Sequence, residues 1–282
     1  MGNRQERNPS LWINTATSPP KEMLDGDARA DVVVVGAGIA GLTTARLLVA
    51  QGRSVVVIDS GDLCAGATGY TTAKVTSLHS AIYTRLVDTW GPERAAIYAA
   101  ANQAAVAKIR SLVEDDDIDC DLEVASAYTY TETDDGVAAI EAEAEAARRA
   151  GLAVCITAET DLPYEVRAAV RLDDQAQFHP RKYCIGLATA IEGAGGSVYE
   201  RTRAVEVDRA TRQVRTDRGV LTGDVIVLAT HIPISDAGGH FARMEPMRSY
   251  AGAFRSHERP RGMYISIDEP TRSVRSTADG WV

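Results

Sequence analysis

Residues 31–59 read DVVVVGAGIAGLTTARLLVAQGRSVVVID, and this stretch decides the fold. The valines at 32–35 form an apolar run too short for a helix and rich in β-branched residues, the pattern of a buried parallel strand. Gly36-Ala37-Gly38-Ile39-Ala40-Gly41 follows as a GxGxxG turn. The spacing of Ile39, Leu42, Ala45, Leu47, Leu48 and Val49 then predicts a helix, which Gly52 closes. A second valine-rich strand, 54–58, ends at Asp59. In such a unit Gly36 allows the tight turn, Gly38 lets backbone approach a pyrophosphate, and Gly41 lets helix pack closely on sheet. The helix N-terminus offers free N–H groups and partial positive charge to phosphates. An acid at Asp59, about 20 residues on, accepts hydrogen bonds from a ribose 2′-OH and repels a 2′-phosphate. The stretch therefore reads as a dinucleotide-binding βαβ unit that does not favour NADP.

The chain has 282 residues, 45% of them hydrophobic and 24% charged, with a net charge of −9. That length holds one large or two medium domains. The acidic balance argues against nucleic acid or an anionic membrane surface as partner. No apolar stretch approaches the length of a membrane span, and the N-terminus lacks the apolar core of a signal peptide. Cys64, Cys120, Cys155 and Cys184 are scattered, and His79, His179, His231, His240 and His257 show no ligand spacing, so no metal site is expected. The cysteines read as reduced thiols of a cytoplasmic protein.

Outward from the βαβ unit, residues 1–29 are polar, contain Pro19-Pro20 and read as an irregular arm. Its cluster Ser10-Leu11-Trp12-Ile13 either pins the arm to the body or belongs to a disordered tail. After Asp59, SGDLCAGATGYTTAKVTSLH (60–79) is dense in Gly, Thr and Ala. Small residues let backbone pass close to a bulky ligand, and a loop leaving the second strand lies at the carboxyl edge of the sheet. A long helix is predicted from 91 to 114, with a stripe of Ile97, Ala101, Ala104, Ala105, Lys108, Ile109, Leu112 and Val113; Asp115-Asp116-Asp117 reads as its solvated end. Alternation over 122–130 predicts a strand, Asp134 or Asp135 caps a helix over 137–150, and 152–157 reads as a further strand. His179-Pro180 opens another helix. A strand is expected over 197–207, then a hairpin of 203–209 with 213–217 around a turn at Ala210-Thr211, and 225–229 is again a buried strand. The expected fold is α/β. A discontinuous Rossmann-like domain takes 30–84 and 171–235. An inserted α+β substrate or cap domain takes 85–170 and 236–282, with strands near 249–255 and 263–267.

These motifs carry a resemblance. VVVVGAGIAGLTTARLL, Asp59, GATGYTTAK, and GGSVYERTRAVEV leading to DVIVLAT resemble the FAD-dependent oxidoreductases of the D-amino-acid oxidase and glycine oxidase group. LWINTA, GATGYTTAKVTSLH, ANQAA (101–105), LATHIPI and FARMEPMRSY resemble its bacterial members that carry a C-terminal Rieske iron–sulfur domain. The resemblance spans about residues 10 to 282. It implies FAD as cofactor, with Gly36, Gly38 and Gly41 holding the pyrophosphate and Asp59 the adenosine ribose. Ile39, Ala40 and Ser60 belong to the same cofactor-binding positions. Thr71, Thr72, Ala73 and Lys74 match the loop along the flavin, Ala204 the position whose backbone meets the adenine, and Ala229 and Thr230 the sheet end near the pyrophosphate.

The implied activity is oxidation of a small amine, amino acid or related donor by hydride transfer to flavin N5. Lys74 would stabilise the reduced anion at the N1–C2 edge, or it is a surface lysine. Tyr250 and Arg255 match the substrate face, where Arg255 would pair with a carboxylate or is again only a surface charge. His79 and His231 stand on the same footing, so the catalytic set is open. The family's third segment, which returns to the FAD fold, and its Rieske domain have no counterpart in these residues, so a C-terminally truncated chain is expected, with a Rieske domain or other redox partner outside it. Two rival readings share the βαβ unit: an NAD-dependent dehydrogenase, and a non-catalytic nucleotide-binding module.

Overall fold

The computed structural model describes residues 10–234, 238–245, 247 and 249–282. Residues 1–9 of the expected arm and part of FARMEPMRSY lie outside the described residues. In chain order the elements are α1 (Leu11–Thr15), β1 (Ala28–Val35), α2 (Ile39–Ala50), β2 (Val55–Ile58), β3 (Lys74–Val75), α3 (Tyr83–Trp90), α4 (Pro92–Asp115), β4 (Glu123–Thr131), α5 (Val137–Arg149), β5 (Cys155–Thr157), β6 (Ala168–Gln177), α6 (Pro180–Gly193), β7 (Ser197–Tyr199), β8 (Ala204–Asp208), β9 (Gln213–Thr216), β10 (Val220–Leu228), β11 (Met263–Ser266) and β12 (Ser273–Val274). They divide into two compact units. Among the described residues, the first takes those up to Thr71, then 116–120 and 179–250; the second takes 72–115, 121–178 and 251–282.

The first unit is built on a six-stranded sheet of order β7-β2-β1-β10-β9-β8. β1 lies parallel to both β2 and β10, and β7 extends the parallel set. Val32 to Val35 are buried whichever face they point to, which is why the run does not alternate. α2 buries Leu42, Ala45 and Val49. Leu24 of the arm, Val33, Val35, Val56, Ile58, Val214 and Leu221 form a core cluster in the same unit.

The second unit carries the sheet β12-β11-β4-β6-β3, with β5 on β6. β4 and β6 pair antiparallel over most of their length. Ala125, Ala127, Val170 and Leu172 share a core with Tyr83 and Leu86 of α3 and Ile140, Ala144 and Ala147 of α5. Another cluster joins Tyr128, Tyr130 and Tyr264, with Tyr128 and Tyr264 stacked at 4.7 Å.

Several expectations are corrected. The strand expected over 197–207 breaks into β7 and β8, because the carboxylate of Glu200 turns inward and Arg201 takes φ +45°. The strand expected near 249–255 reduces to a single bridge between Arg255 and Trp281. β6 begins inside the region assigned to the insertion and runs past residue 170, so 171–177 belong to the second sheet and not to the nucleotide sheet. On α4 the buried residues are Ala95, Ala99, Val106 and Leu112, while Ile97 is 69% exposed; its packed face is rotated from the expected stripe. Asp116 is no solvated helix end. Its side chain is 6% exposed and takes a two-pronged bond from Arg46 of α2, Nε to Oδ2 at 2.8 Å and Nη2 to Oδ1 at 2.5 Å. The turn before α5 is capped by Thr133, whose hydroxyl accepts from the Gly136 N–H.

Candidate cofactor site

The turn after β1 is shaped by close backbone approaches. Gly36 sits at φ +115° and donates its N–H to Ile58 O at 2.8 Å; a Cβ there would lie 2.4 Å from Ala229 O. A Cβ on Gly41 would lie 1.9 Å from Gly36 O. Only glycine fits either position. Gly38 is the N-cap of α2, its carbonyl accepting from Leu42 N at 3.0 Å. The first-turn amides of that helix have no partner within the helix, and the macrodipole adds positive potential there.

The side chain nearest this helix end is Thr68, a residue the sequence reading did not single out. Its Oγ1 accepts the Ile39 N–H at 3.3 Å and would meet a Cβ on Gly38 at 2.9 Å. Thr68 lies in GATGYTT with no periodicity to mark it. The only available signal was a hydroxyl between two glycines in the loop that follows the acid.

Asp59 leaves β2 beside the same turn. Its Oδ2 accepts Ala37 N–H at 2.8 Å and its Oδ1 accepts Gly61 N–H at 2.9 Å. A carboxylate has about four acceptor positions, so capacity remains for a ribose hydroxyl. The segment after β7 runs alongside: Asp59 N–H donates to Tyr199 O at 3.0 Å and Thr202 N–H to Asp59 O at 2.7 Å. Ala204 follows two residues later, at the start of β8. Ala229 N–H donates to Val35 O at 2.8 Å, which sets Ala229 and Thr230 at the carboxyl end of the sheet beside Gly36. The first unit thus gathers Gly36, Gly38, Ile39, Ala40, Gly41, Asp59, Ala229 and Thr230 around one turn, with Ser60 next to Asp59. Thr71 ends that unit.

Thr72, Ala73 and Lys74 open the second unit. Arg275 donates from Nη1 to Thr72 O and Ala73 O at 3.2 and 3.1 Å. Lys74 Nζ donates to Tyr264 O and Ser273 Oγ, both at 2.5 Å. Burial, and then the charge of Arg275, push the Lys74 ammonium down to about 7. Arg255 is turned to its own chain end, its guanidinium 4.2 Å from the Trp281 ring centroid and donating to Asp279 O. Tyr250 is 95% exposed. His79 Nδ1 meets Tyr98 Oη at 2.9 Å, and burial lowers the pKa of its ring. His231 follows Thr230 at φ +65°. Among the described residues, no three His, Cys, Asp or Glu side chains come together in a way that could hold a metal ion. No described helix is long and apolar enough to cross a membrane.

A glycine turn, a helix N-terminus capped by one hydroxyl and a carboxylate with spare acceptors have the chemistry to hold a dinucleotide pyrophosphate and its ribose. Residues 31–282 match the family model for FAD dependent oxidoreductases, DAO. The Bacillus subtilis (strain 168) "Putative Rieske 2Fe-2S iron-sulfur protein YhfW" is 35% identical over 272 residues, covering 95% of this chain and 53% of that protein. The chain thus spans about half the length of this curated relative. An L-amino acid deaminase from Proteus vulgaris, lacking its specific insertion sequence, shares the fold at TM-score 0.65 and 18% identity, over 97% of this chain and 72% of that one. Glycine oxidase from Geobacillus kaustophilus does so at TM-score 0.62 and 15% identity, over 89% and 69%. With the matched model covering the chain from β1 to its last residue, this protein belongs to the DAO family of FAD-dependent oxidoreductases.

Proposed function

We propose that this chain is the flavin-binding part of an oxidoreductase that oxidises a small amine, amino acid or related donor. The carrying observation is the turn at Gly36–Gly41 with Asp59 and Thr68 around the N-terminus of α2, in a chain whose family is FAD-dependent. The residues fit the cofactor. The amides of Ile39, Ala40 and Gly41 and the Thr68 hydroxyl would bind the pyrophosphate, Asp59 the adenosine ribose, and the backbone of Ala204 the adenine. FAD, when bound, supplies N5 as the hydride acceptor. The task left to the chain is to hold the donor and shape its surroundings.

Thr71, Thr72, Ala73 and Lys74 are proposed to lie along the flavin. In its protonated form Lys74 has three donors, two of them directed to Tyr264 O and Ser273 Oγ, which leaves one for an anionic group. Arg255 and Tyr250 are proposed to meet the substrate, with Arg255 having to leave Trp281 to pair with a carboxylate. The name of the Bacillus relative supports a Rieske-type centre as electron acceptor, in a following domain or a separate protein. A cytoplasmic location is part of the proposal, supported by four cysteines that form no disulfide.

The test is an absorbance spectrum of the purified chain with FAD added, followed by anaerobic mixing with a panel of amines and amino acids. Flavin bands that bleach with one donor class support the reading. A folded chain that stays colourless sinks the cofactor assignment. A yellow chain that no amine or amino acid bleaches sinks the substrate class.

A further inference from the structure

The arm before β1 offers the strongest unassigned feature. α1 has five residues, far too few to be a stable helix alone, so its form depends on what it docks against. It docks on the loop that carries Thr68. Ser10, whose hydroxyl also meets the Ile13 N–H at 3.3 Å, donates that hydroxyl to Gly69 O. Trp12 is buried and donates Nε1–H to Thr71 O at 2.7 Å. Ile13 Cδ1 lies 3.4 Å from where a Cβ on Gly69 would be.

Two further groups tie the same arm to the same loop. Arg181 of α6 donates Nε–H to Ala16 O and Nη1–H to Leu63 O, both at 2.9 Å. Glu200, 2% exposed, accepts Lys21 N–H at 3.0 Å and Leu63 N–H at 2.7 Å. His179 closes the other side. Thr15 Oγ1 donates to Leu11 O at 2.6 Å, so His179 donates from Nε2 to Thr15 Oγ1 at 3.0 Å. Its Nδ1 accepts Lys182 N–H at 3.3 Å, and its ring meets Trp12 edge-on at 5.0 Å.

We propose that Ser10 and Trp12 are positioning residues for the cofactor: they strap loop 66–71 so that the Thr68 hydroxyl stays at the N-terminus of α2, where the pyrophosphate binds. This rests on the FAD reading above. Fixing the carbonyls of Gly69 and Thr71 fixes the turn closed by Gly69 N–H to Gly66 O at 2.9 Å, and Thr68 rides on that turn. Without the strap the loop must be ordered by the ligand, and that ordering lowers apparent affinity.

The test is a double-mutant cycle on FAD affinity, read by quenching of flavin fluorescence in the full chain. Ser10→Ala with Trp12→Phe removes both donors and keeps an aromatic ring in place. A loop that the ligand must order predicts roughly a tenfold loss of affinity, about 1.4 kcal/mol. Thr68→Ala alone should weaken FAD by a similar factor, and the triple variant should bind no more weakly than Thr68→Ala. Val214→Ala, in the core of the same unit, controls for a general loss of stability and should leave FAD affinity unchanged.

A strap variant that binds FAD as the parent does, or a cycle that is additive, overturns the proposal. So does a Val214→Ala variant that loses as much affinity as the strap variant. Amide hydrogen exchange without FAD gives an independent readout. The Ser10→Ala, Trp12→Phe chain should exchange faster at 66–71 and not in β1 or β10, and unchanged exchange at 66–71 would refute the strap. If the parent itself binds no FAD, the cofactor reading fails, while the exchange experiment still decides whether the arm orders the loop.

Discussion

Gly41→Ala sets two known effects against each other. Inside a helix, alanine is favoured over glycine by about 0.8–1.0 kcal/mol, so propensity alone predicts a gain. The structure opposes it. The new Cβ would lie 1.9 Å from Gly36 O and 3.3 Å from Val34 Cγ1, against a lower limit of 3.0 Å for real Cβ neighbours. The obstacle is backbone, and it belongs to the turn that Ile58 O and Ala229 O already hold. α2 or the turn must move by about 1.1 Å or more, at a cost of about 1–3 kcal/mol or above for overpacking. Sterics win, and the displaced turn would no longer present its amides at the proposed pyrophosphate site. Urea unfolding should show a net loss of up to about 2 kcal/mol, and FAD titration a loss of affinity of tenfold or more. Gly193→Ala is the contrasting case: α6 ends there and nothing lies within 4 Å, so the same change should gain a few tenths of a kcal/mol. A Gly41→Ala chain as stable as the parent and equally tight for FAD would refute the steric reading of the turn.

In the second unit, fully buried Glu143 of α5 accepts Tyr83 N–H at 2.7 Å and Thr84 N–H and Oγ1–H at 2.8 and 2.7 Å, capping α3 from another helix. Glu143→Gln turns an NH₂ toward those donors and should cost about 2–4 kcal/mol in chemical unfolding; a change below about 0.5 kcal/mol would show the cap to be unimportant. Lys74 gives a pH signature: with a folded pKa of about 7 against 10.5 for the free side chain, the unfolded chain binds more protons between those values, so stability rises with pH across that window and is level below it. Unfolding midpoints of parent and Lys74→Met at several pH values from 7 to 10 should diverge, by up to about 1.4 kcal/mol per pH unit, with the parent gaining toward high pH. Parallel curves would mean that the Lys74 ammonium is not held out of water.

The positions of the two kinds of residue in the chain explain what could be read early. Val32 to Val35, the glycines at 36, 38 and 41, and the acid at 59 lie within one βαβ unit, and their spacing is fixed by the rise of a strand and the pitch of a helix. A local pattern of that sort needs no knowledge of the rest of the molecule. The helices over 92–115 and 180–193 were legible for the same reason, since a proline in the first turn of each, and the glycine that ends the second, act within a few residues.

The arrangement around that unit came from partners far away in sequence. Asp116 looked like one of three solvated acids until Arg46, 70 residues earlier, was found to grip it. Thr68 acquires meaning only from Ile39, 29 residues before it, and the arm from Gly69 and Thr71, each 59 residues on. The buried Glu200 breaks a predicted strand because its partners are backbone amides at 21 and 63. β6 has little alternation because both its faces are packed, Ala168, Val170 and Leu172 in one core cluster and Ala169 in another. By itself the sequence determined the parallel strands, the glycine turn and the acid, because steric limits on φ, ψ and close packing act on neighbours. Only the tertiary structure decided which hydroxyl caps the turn, which carboxylates are buried and what the arm holds, because a hydrogen bond requires two groups to meet, and folding alone brings distant ones together.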